Sequence, residues 1–374
     1  MIMVEWKKLG DLGKFENIGT DKKIVESEKL VTLLNYVDVY HNKYINASTP
    51  QMVVSASDKK IEDCTVEKGD IFVTPSSETV DDIGHSSVIT ETIPNAVYSY
   101  HIMRYRLFEK NMLLSYYINY AFDTDNVKKQ ILKKAQGLTR FGLSKDKFAS
   151  IQIPIPSLSE QKKIVEKLDA FTSSIDSLKE QLALRRKQYE YYRDQLLDLE
   201  GKEGVEMKIE EFCSLKAGKS VSADDISEYY HKNNYPCIGG NGVRGYVPLY
   251  SHEGEYPIIG RQGALCGCVN WITGKFYATE HAVVASGYDG INQRFLFYLF
   301  ENADLNQYKT QGAQPGLSVT KLNEVKFKIP PLADQQHIVS ILDTFEASIQ
   351  NLEMQLKQRH KQYEYYRNKL LTFE

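Results

Sequence analysis

The sequence predicts an α+β protein in which two β-rich α/β domains are each followed by a long helix, and the two helices pair as a coiled coil. Three observations lead to this prediction. Segments 157–200 and 331–374 nearly repeat each other at an offset of 174 positions (374 − 200). Each copy carries an apolar seam with heptad spacing. The segments that precede the two copies, in contrast, share little sequence.

The seam in each copy alternates spacings of four and three residues, which is typical of a coiled-coil helix. An apolar seam left in water would be unfavourable, so we expect the two helices to pair with each other. The seam residues are Ile164, Leu168, Phe171, Ile175, Leu178 and Leu182 in the first copy, and Ile338, Leu342, Phe345, Ile349, Leu352 and Leu356 in the second. The same spacing continues through Tyr189, Tyr192 and Leu196, and through Tyr363, Tyr366 and Leu370. Arg185 and Arg359 interrupt the seam at equivalent places. Either their aliphatic stems pack in the seam while the heads reach water, or they fix the helix register.

Domain boundaries follow from the repeat. We expect a first domain at 1–156, a first repeated helix at 157–200, a polar hinge at 201–206, a second domain at 207–330 and a second repeated helix at 331–374. Strand patterns in the first domain cover 29–39, 52–55, 70–74, 87–90 and 98–106, and helix patterns cover 111–121 and 125–135. The second domain has short strands between glycine-rich turns and a helix at 292–301.

Composition limits the classes of protein to which the chain can belong. The 374 residues carry a net charge of −3, whereas a free-standing DNA-binding protein is usually basic. The sequence has no apolar run long enough to cross a membrane and no signal-peptide core near its first residue. Five scattered cysteines, an odd number, argue against a disulfide framework and favour the cytoplasm. Cys266-x-Cys268 has no second cysteine pair, so we expect buried thiols and no metal site.

Motifs for catalysis are not found. Gly218-Lys219-Ser220 resembles the end of a phosphate-binding loop, but the required upstream glycine position holds Cys213. No nucleophile elbow, zinc-protease helix or amino-methyltransferase motif is present in the sequence. We therefore expect a non-catalytic chain.

Polar side chains suited to reading DNA crowd the predicted turns, because Arg and Lys pair with guanine edges and Asn and Gln with adenine. The alternative for each residue is an ordinary solvated loop side chain. The candidates in the first domain are Ser76, Ser77, Thr79, His85, Ser86, Thr139, Arg140 and Ser144. Those in the second are Asn241, Arg244, Arg261, Gln262, Lys275, Gln311, Gln314 and Ser318.

The layout resembles the DNA-specificity subunit of type I restriction–modification systems, and the resemblance covers essentially the whole chain. The motifs that carry it are Pro156-x-Leu158-x-x-Gln161-x-x-Ile164-Val165, Pro331-Leu332-x-x-Gln335-x-x-Ile338-Val339, and Lys-Gln-Tyr-Glu-Tyr-Tyr-Arg at 187–193 and again at 361–367. The segment Gly316-Leu317-Ser318, matched by Gly142-Leu143-Ser144, also resembles the closing element of that family's target recognition domains.

The resemblance implies that each domain reads one half of a split sequence in double-stranded DNA. It also implies that the helices lie antiparallel, with pseudo-twofold symmetry, and dock two modification subunits. Those modification subunits would bind S-adenosylmethionine and methylate adenine at N6. Separate restriction subunits would translocate and cleave DNA. This chain would hold no cofactor. Two alternatives remain open: a standalone DNA methyltransferase, or a coiled-coil scaffold that never touches DNA.

Overall fold

The computed structural model describes residues 4–263, 265–310 and 316–373. The chain divides into two compact units. Unit 1 comprises Met1–Leu178 and Gln355–Glu374, and unit 2 comprises Lys179–Met354. Each unit therefore combines one globular part with half of each of two long helices, instead of separating the globular parts from the helices.

The globular part of unit 1 is built mainly from short strands. Its helices are α1 (Leu9–Leu12), α2 (Tyr36–His41), α3 (Asp58–Asp63), α4 (Met112–Phe122), α5 (Asp125–Lys134) and α6 (Lys145–Ala149). Its strands are β1 (Glu5–Lys8), β2 (Gly13–Glu16), β3 (Lys29–Leu34), β4 (Tyr44–Ile45), β5 (Met52–Ala56), β6 (Thr65–Val66), β7 (Ile71–Val73), β8 (Ser76–Ser77), β9 (Ser86–Ile89), β10 (Ile93–Tyr98), β11 (Met103–Leu107), β12 (Phe141–Gly142) and β13 (Gln152–Ile155).

The larger sheets of unit 1 have the strand orders β5-β3-β10-β6 and β2-β11-β7-β9-β4, while β1 pairs with β13 and β8 with β12. The apolar faces of these strands pack into two clusters of buried side chains. One cluster includes Ile164, Val165 and Leu168 from the first long helix. Because a fully buried leucine or isoleucine contributes roughly 1.5–3 kcal/mol, the long helix is an integral part of this core.

Two of the predicted strands were wrong in extent. The pattern at 29–39 contains β3 and then α2, because Asn35 caps that helix: its side chain accepts a hydrogen bond from Val37 N, and its backbone N–H donates to Asp38. Such a capping box outweighs the strand propensity of the valines and tyrosines that follow. The pattern at 98–106 is likewise split, because a turn between β10 and β11 carries the chain from one sheet to the other.

The globular part of unit 2 is built around a six-stranded sheet of order β15-β20-β18-β19-β16-β17, with β14 paired to β21. Its strands are β14 (Val205–Lys208), β15 (Cys213–Ala217), β16 (Tyr235–Gly239), β17 (Gly242–Val247), β18 (His252–Gly260), β19 (Val269–Ala278), β20 (Ala282–Gly287) and β21 (Lys326–Ile329). Its helices are α8 (Ile209–Phe212), α9 (Gln293–Asn302) and α10 (Val319–Asn323). β14 begins inside the segment 201–206 that the sequence suggested as a hinge.

The two long helices are α7 (Leu158–Leu197) and α11 (Leu332–Thr372), and they are named here the first and the second repeated helix. In unit 1, Leu371 near the end of the second helix packs in one cluster with Ile164 near the start of the first. In unit 2, Leu197 at the end of the first helix packs with Ile338 near the start of the second. The helices therefore run antiparallel within each unit, as predicted. The twelve predicted seam residues up to Leu182 and Leu356 are buried or half-buried, whereas Tyr192 and Tyr366 further along the seam are exposed.

Each repeated helix is fastened to its globular part by the same two polar residues. The buried Gln161 and Gln335 donate through Nε2 to Pro156 O and Pro330 O, both at 2.9 Å. Eight residues further on, Asp169 accepts from Tyr120 of α4 at 2.5 Å, and Asp343 accepts from Tyr298 of α9 at 2.6 Å. The Gln-x-x-Ile-Val motif is thus an anchor that fixes the start of the helix.

The last elements of the two globular parts correspond in order and type at the 174-residue offset. α6 corresponds to α10 (319 − 145) and β13 to β21 (326 − 152). The beginnings also correspond, at an offset of 200: β1 matches β14 (205 − 5), and α1 matches α8 (209 − 9). This second repeat was missed in the sequence, since its residues are similar in type but rarely identical.

Candidate nucleic-acid interface

A hairpin closes the globular part of unit 1. Gln136 and Gly142 exchange two backbone hydrogen bonds, of 3.0 and 2.8 Å. Residues 137–141 between them form a loop that we name the closing loop. Leu143 N donates to Pro75 O at 2.9 Å and its side chain is buried, so the hairpin is tied to the segment that follows β7.

Beside this hairpin lies an open depression of about 300 Å³, which we name the unit 1 depression. It is lined by Tyr36, Ser76, Ser77, Glu78, Thr79, Asp82, His101 and Arg140. Arg140 is exposed, and its Nη2 donates to Ser76 Oγ at 3.3 Å. Asp82 instead accepts from Tyr40 OH at 3.2 Å and from Ser77 Oγ at 3.3 Å. Among the described residues Arg140 has no ion pair, so most of its five N–H donors are available to a ligand.

Burial sets the protonation of the other polar groups here. It raises the pKa of the Tyr36 hydroxyl, so this group stays a neutral donor. It lowers the pKa of His101, and the nearby charges of Lys22 and Arg140 lower it further. His101 is therefore uncharged near neutral pH, and Arg140 is the fixed positive charge among the residues that line the unit 1 depression.

The other first-domain candidates are more scattered. Thr139 is exposed in the closing loop. Ser144 caps α6 by accepting from Lys147 N at 3.4 Å, which is a structural role. Ser86 is buried and donates to Asn119 Oδ1 at 2.7 Å, so it cannot reach DNA. His85 packs against the Tyr40 ring at 4.5 Å, and burial lowers its pKa.

Unit 2 has a corresponding depression of about 270 Å³, lined by Arg261, Gln262, Thr310, Gly316, Leu317 and Ser318. Leu317 N donates to Arg261 O at 2.8 Å, and Arg261 Nε donates to Leu317 O at 3.3 Å. Thr310 N donates to Gly316 O at 2.9 Å. Ser318 caps α10 by accepting from Lys321 N at 3.4 Å, as Ser144 caps α6.

The two depressions share one backbone frame. Gln136 and Gly142 correspond to Thr310 and Gly316 at the 174-residue offset (310 − 136), and the same N–H to carbonyl contact joins each pair. The neighbouring strand-end segment carries Ser76 in unit 1 and Gln262 in unit 2, each opposite the equivalent glycine. The frame is therefore duplicated, whereas the side chains on it differ.

Two further second-domain candidates lie on or just before β17, close to the backbone of Gln262. Asn241 is exposed in the turn between β16 and β17, and Arg244 is exposed on β17. The adjoining Gly240 lies against the backbone of Gln262 and His281: a Cβ there would be 3.2 Å from each carbonyl oxygen. These turns are thus neighbours of the unit 2 depression.

Lys275, another candidate, is not among the residues that line the unit 2 depression. It lies on β19, 3.6 Å from Glu253 and 4.6 Å from the centre of the Tyr250 ring. Gln311 and Gln314 lie outside the described residues.

Sequence reasoning missed several groups at these sites. Tyr36 and His101 line the unit 1 depression although they lie far from the hairpin in sequence, so only the fold could bring them there. His281 lies in the turn between β19 and β20, where its carbonyl accepts from Arg261 N at 2.8 Å. The glycines at 239–242 gave a signal for that neighbourhood, since they permit close backbone approach.

Neither depression offers a metal site. Among residues 4–263, 265–310 and 316–373, no three His, Cys, Asp or Glu side chains are grouped so that they could hold an ion. Cys266 is buried and Cys268 is exposed. No helix of the described chain is both long and apolar enough to span a bilayer.

Comparison with known proteins identifies the protein family in which this duplicated backbone frame occurs. The profile of the type I restriction–modification DNA specificity domain matches residues 3–184 and again 202–361. The chain belongs to this family. The EcoprrI type I restriction enzyme specificity subunit of Escherichia coli is 42% identical over 215 residues, which is 54% of each chain. A putative type I restriction enzyme specificity subunit of Haemophilus influenzae is 33% identical over 261 residues, 63% of this chain and 68% of the relative. The match thus spans about half the length of the first relative.

Solved structures agree with the fold. The S subunit of a type I restriction–modification system from M. genitalium superimposes with a TM-score of 0.64 over 99% of this chain and 96% of its own, at 15% identity. A chain from a study of complex assembly and conformational transition in the type I system gives 0.61 over 99% and 98%, at 13% identity. These curated relatives are named as specificity subunits, and the standalone-methyltransferase alternative is not favoured.

Proposed function

We propose that this specificity subunit recognises a bipartite DNA sequence, with one half-site read by each globular part, and that it docks modification and restriction subunits. The modification subunits bind S-adenosylmethionine and methylate adenine at N6, so this chain supplies sequence choice and no chemistry. The observation that carries the proposal is the duplicated frame with non-duplicated side chains around its two depressions.

The chemistry of the two depressions supports different targets for the two units. Unit 1 presents serine hydroxyls and one unpaired arginine, whereas unit 2 presents Arg261 beside Gln262. Arginine is suited to guanine edges and glutamine to adenine. Two copies of one frame bearing different donors and acceptors are what two unlike half-sites require.

The repeated helices offer equivalent surfaces to two identical partners. Tyr191 and Tyr365 leave 62% and 59% of their surface exposed, although both belong to the repeated run. Each is arranged edge-to-face with the next tyrosine, at 5.4 Å for Tyr192 and 5.2 Å for Tyr366. Exposed aromatic pairs are enriched where proteins bind one another. A duplicated pair supports the docking of two modification subunits.

The test is methylation by a reconstituted complex. The full chain is combined with modification subunits and S-adenosylmethionine, genomic DNA is treated, and methylated adenines are mapped by sequencing. We expect one motif made of two short half-sites with a fixed non-specific spacer. Methylation at a single uninterrupted motif, or without sequence preference, would contradict bipartite recognition. Omitting this chain is the control and should abolish sequence-specific methylation.

Binding assays separate the proposal from its alternatives. Saturable S-adenosylmethionine binding by the isolated chain would point to a methyltransferase. A complex whose DNA binding is unchanged by adding this chain would point to a scaffold. Under the proposal neither occurs.

A further inference from the structure

We propose that the closing loop of unit 1, residues 137–141, enters the major groove and that Arg140 donates two hydrogen bonds to a guanine, at N7 and O6. This inference rests on the proposed function and narrows the reading of one half-site to a named side chain. It is carried by the rigidity of the loop, its exposed apolar tip, and the charges around Arg140.

The loop is held in one shape. Its ends are joined by the backbone pair between Gln136 and Gly142, and β12 pairs with β8 directly beside it. Gly137 has φ +142°, and a Cβ at that position would lie 1.9 Å from Arg140 O. The loop conformation therefore requires glycine there. A preorganised loop loses little conformational entropy when it binds.

The tip of the loop is apolar and fully open to solvent. Leu138 leaves 96% of its surface exposed, which is the largest value for any exposed apolar side chain of the described residues. A single exposed leucine is unremarkable by itself. Here it is presented by a constrained loop two residues from Arg140, so its apolar surface would be removed from water when the loop enters a groove. The thymine 5-methyl group gives the major groove an apolar contact for such a side chain.

Arg140 is placed to read a base and not a phosphate. One guanidinium N–H is used by Ser76, and the others are open. Glu78 and Asp82 also line the depression, and their negative charges oppose the approach of a phosphate. The edge of guanine is uncharged and offers two acceptors spaced for a bidentate arginine. The acidic lining therefore favours base contact over backbone contact.

The test uses the reconstituted full complex and compares Arg140→Gln with the wild type by methylation mapping. We expect one base pair of one half-site to lose its preference for G·C, with the second half-site and the spacer unchanged. Once the wild-type motif is known, the guanine at that position is replaced by 7-deazaguanine, which lacks the N7 acceptor. Wild-type binding should then weaken roughly ten- to hundredfold, whereas Arg140→Gln should show no further loss.

Lys145→Gln is the matched control, because Lys145 is an exposed cation a few residues away with no role in the loop. It should leave the motif unchanged. Leu138→Ala should weaken binding while Arg140 still selects guanine. The arginine is exposed, so its substitution should not alter thermal unfolding.

Two results would overturn the inference. In the first, Arg140→Gln weakens binding to all sequences equally and reduces the salt slope by about one, which is the behaviour of a phosphate contact. In the second, the motif is unaltered. Either result leaves the bipartite motif of the wild type intact, whereas failure of the proposed function would remove that motif from the wild type itself.

Discussion

Phe171 stacks on Tyr366 in unit 1, with ring centres 5.4 Å apart, and the same contact forms in unit 2 between Phe345 and Tyr192 at 5.3 Å. In each case the phenylalanine comes from one repeat copy and the tyrosine from the other. The exchange of copies is what antiparallel pairing of two nearly identical helices requires. The arginines that interrupt the seam follow the same rule: Arg359 lies 5.8 Å from the Phe171 ring, and Arg185 lies 5.7 Å from the Phe345 ring.

The first prediction is that these two equivalent ring contacts contribute equal coupling free energies to their units. Double-mutant cycles on Phe171 with Tyr366 and on Phe345 with Tyr192, each residue replaced by leucine, should give coupling energies of about 0.5–1.5 kcal/mol that agree with each other. The readout is hydrogen exchange resolved to each unit, since a protein of two units need not unfold in one step. A coupling near zero in one unit alone would show that the equivalence is only geometric.

The second prediction concerns the aspartates that hold the helices to the globular parts. Asp343→Asn should destabilise unit 2 by about 1–3 kcal/mol, because Asp343 accepts from Arg294 Nε at 2.8 Å as well as from Tyr298. Asp169→Asn should cost unit 1 less, since its partners are the neutral hydroxyls of Tyr44 and Tyr120. Burial raises the pKa of both Tyr120 and Tyr298, so these groups remain donors.

Faster amide exchange in α9 than in α4 is the measurement that checks this order. Equal effects of the two substitutions would mean that the charge on Arg294 is adequately balanced by Glu346. Ser340→Ala, at an exposed position on the second helix, provides the control.

Much of the fold followed from periodicity, and the parts that did not follow have physical reasons. The seam from Ile164 to Leu182 was readable because a helix repeats its environment every few residues. The split of 29–39 was not, because one side chain, Asn35, outweighs several strand-forming residues. The two depressions were readable only in part: turn residues such as Ser76 and Arg140 were identified, whereas Tyr36 and His101 arrive through long-range packing.

The third prediction follows from charge. With a net charge of −3, the isolated chain should bind duplex DNA weakly, because phosphate contacts supply most of the affinity. Adding modification subunits should raise the affinity and steepen its salt dependence. Titrations of labelled duplex at several salt concentrations measure both quantities, and tight specific binding by the chain alone would contradict the prediction.

The fourth prediction is that the two globular parts recognise their half-sites independently of each other. Replacing residues 1–150 with the matching segment of a homologue should change one half of the methylated motif and leave the other half intact. The reason is that each depression is built within its own unit. Replacement of 207–325 is the reciprocal control and should alter only the other half. A change in both halves after either exchange would mean that the units do not read independently.

The last prediction treats the repeated helices as a ruler for the spacer between half-sites. Duplicating residues 172–178 and 346–352 in the same chain inserts one heptad into each helix at equivalent positions, with Ile175, Leu178, Ile349 and Leu352 continuing the seam. Seven residues lengthen each helix by about 10 Å. The preferred spacer should then grow by roughly 3 base pairs at 3.4 Å each. Those base pairs also rotate one half-site by roughly 100°, so some affinity should be lost even though the half-sites stay the same.

Methylation mapping measures the length of the spacer. The control is a chain with the heptad duplicated in one helix only. Its two helices are unequal in length, so we expect it to lose activity. An unchanged spacer in a doubly extended chain that still supports methylation would show that the helices serve docking, and that another part of the complex sets the distance.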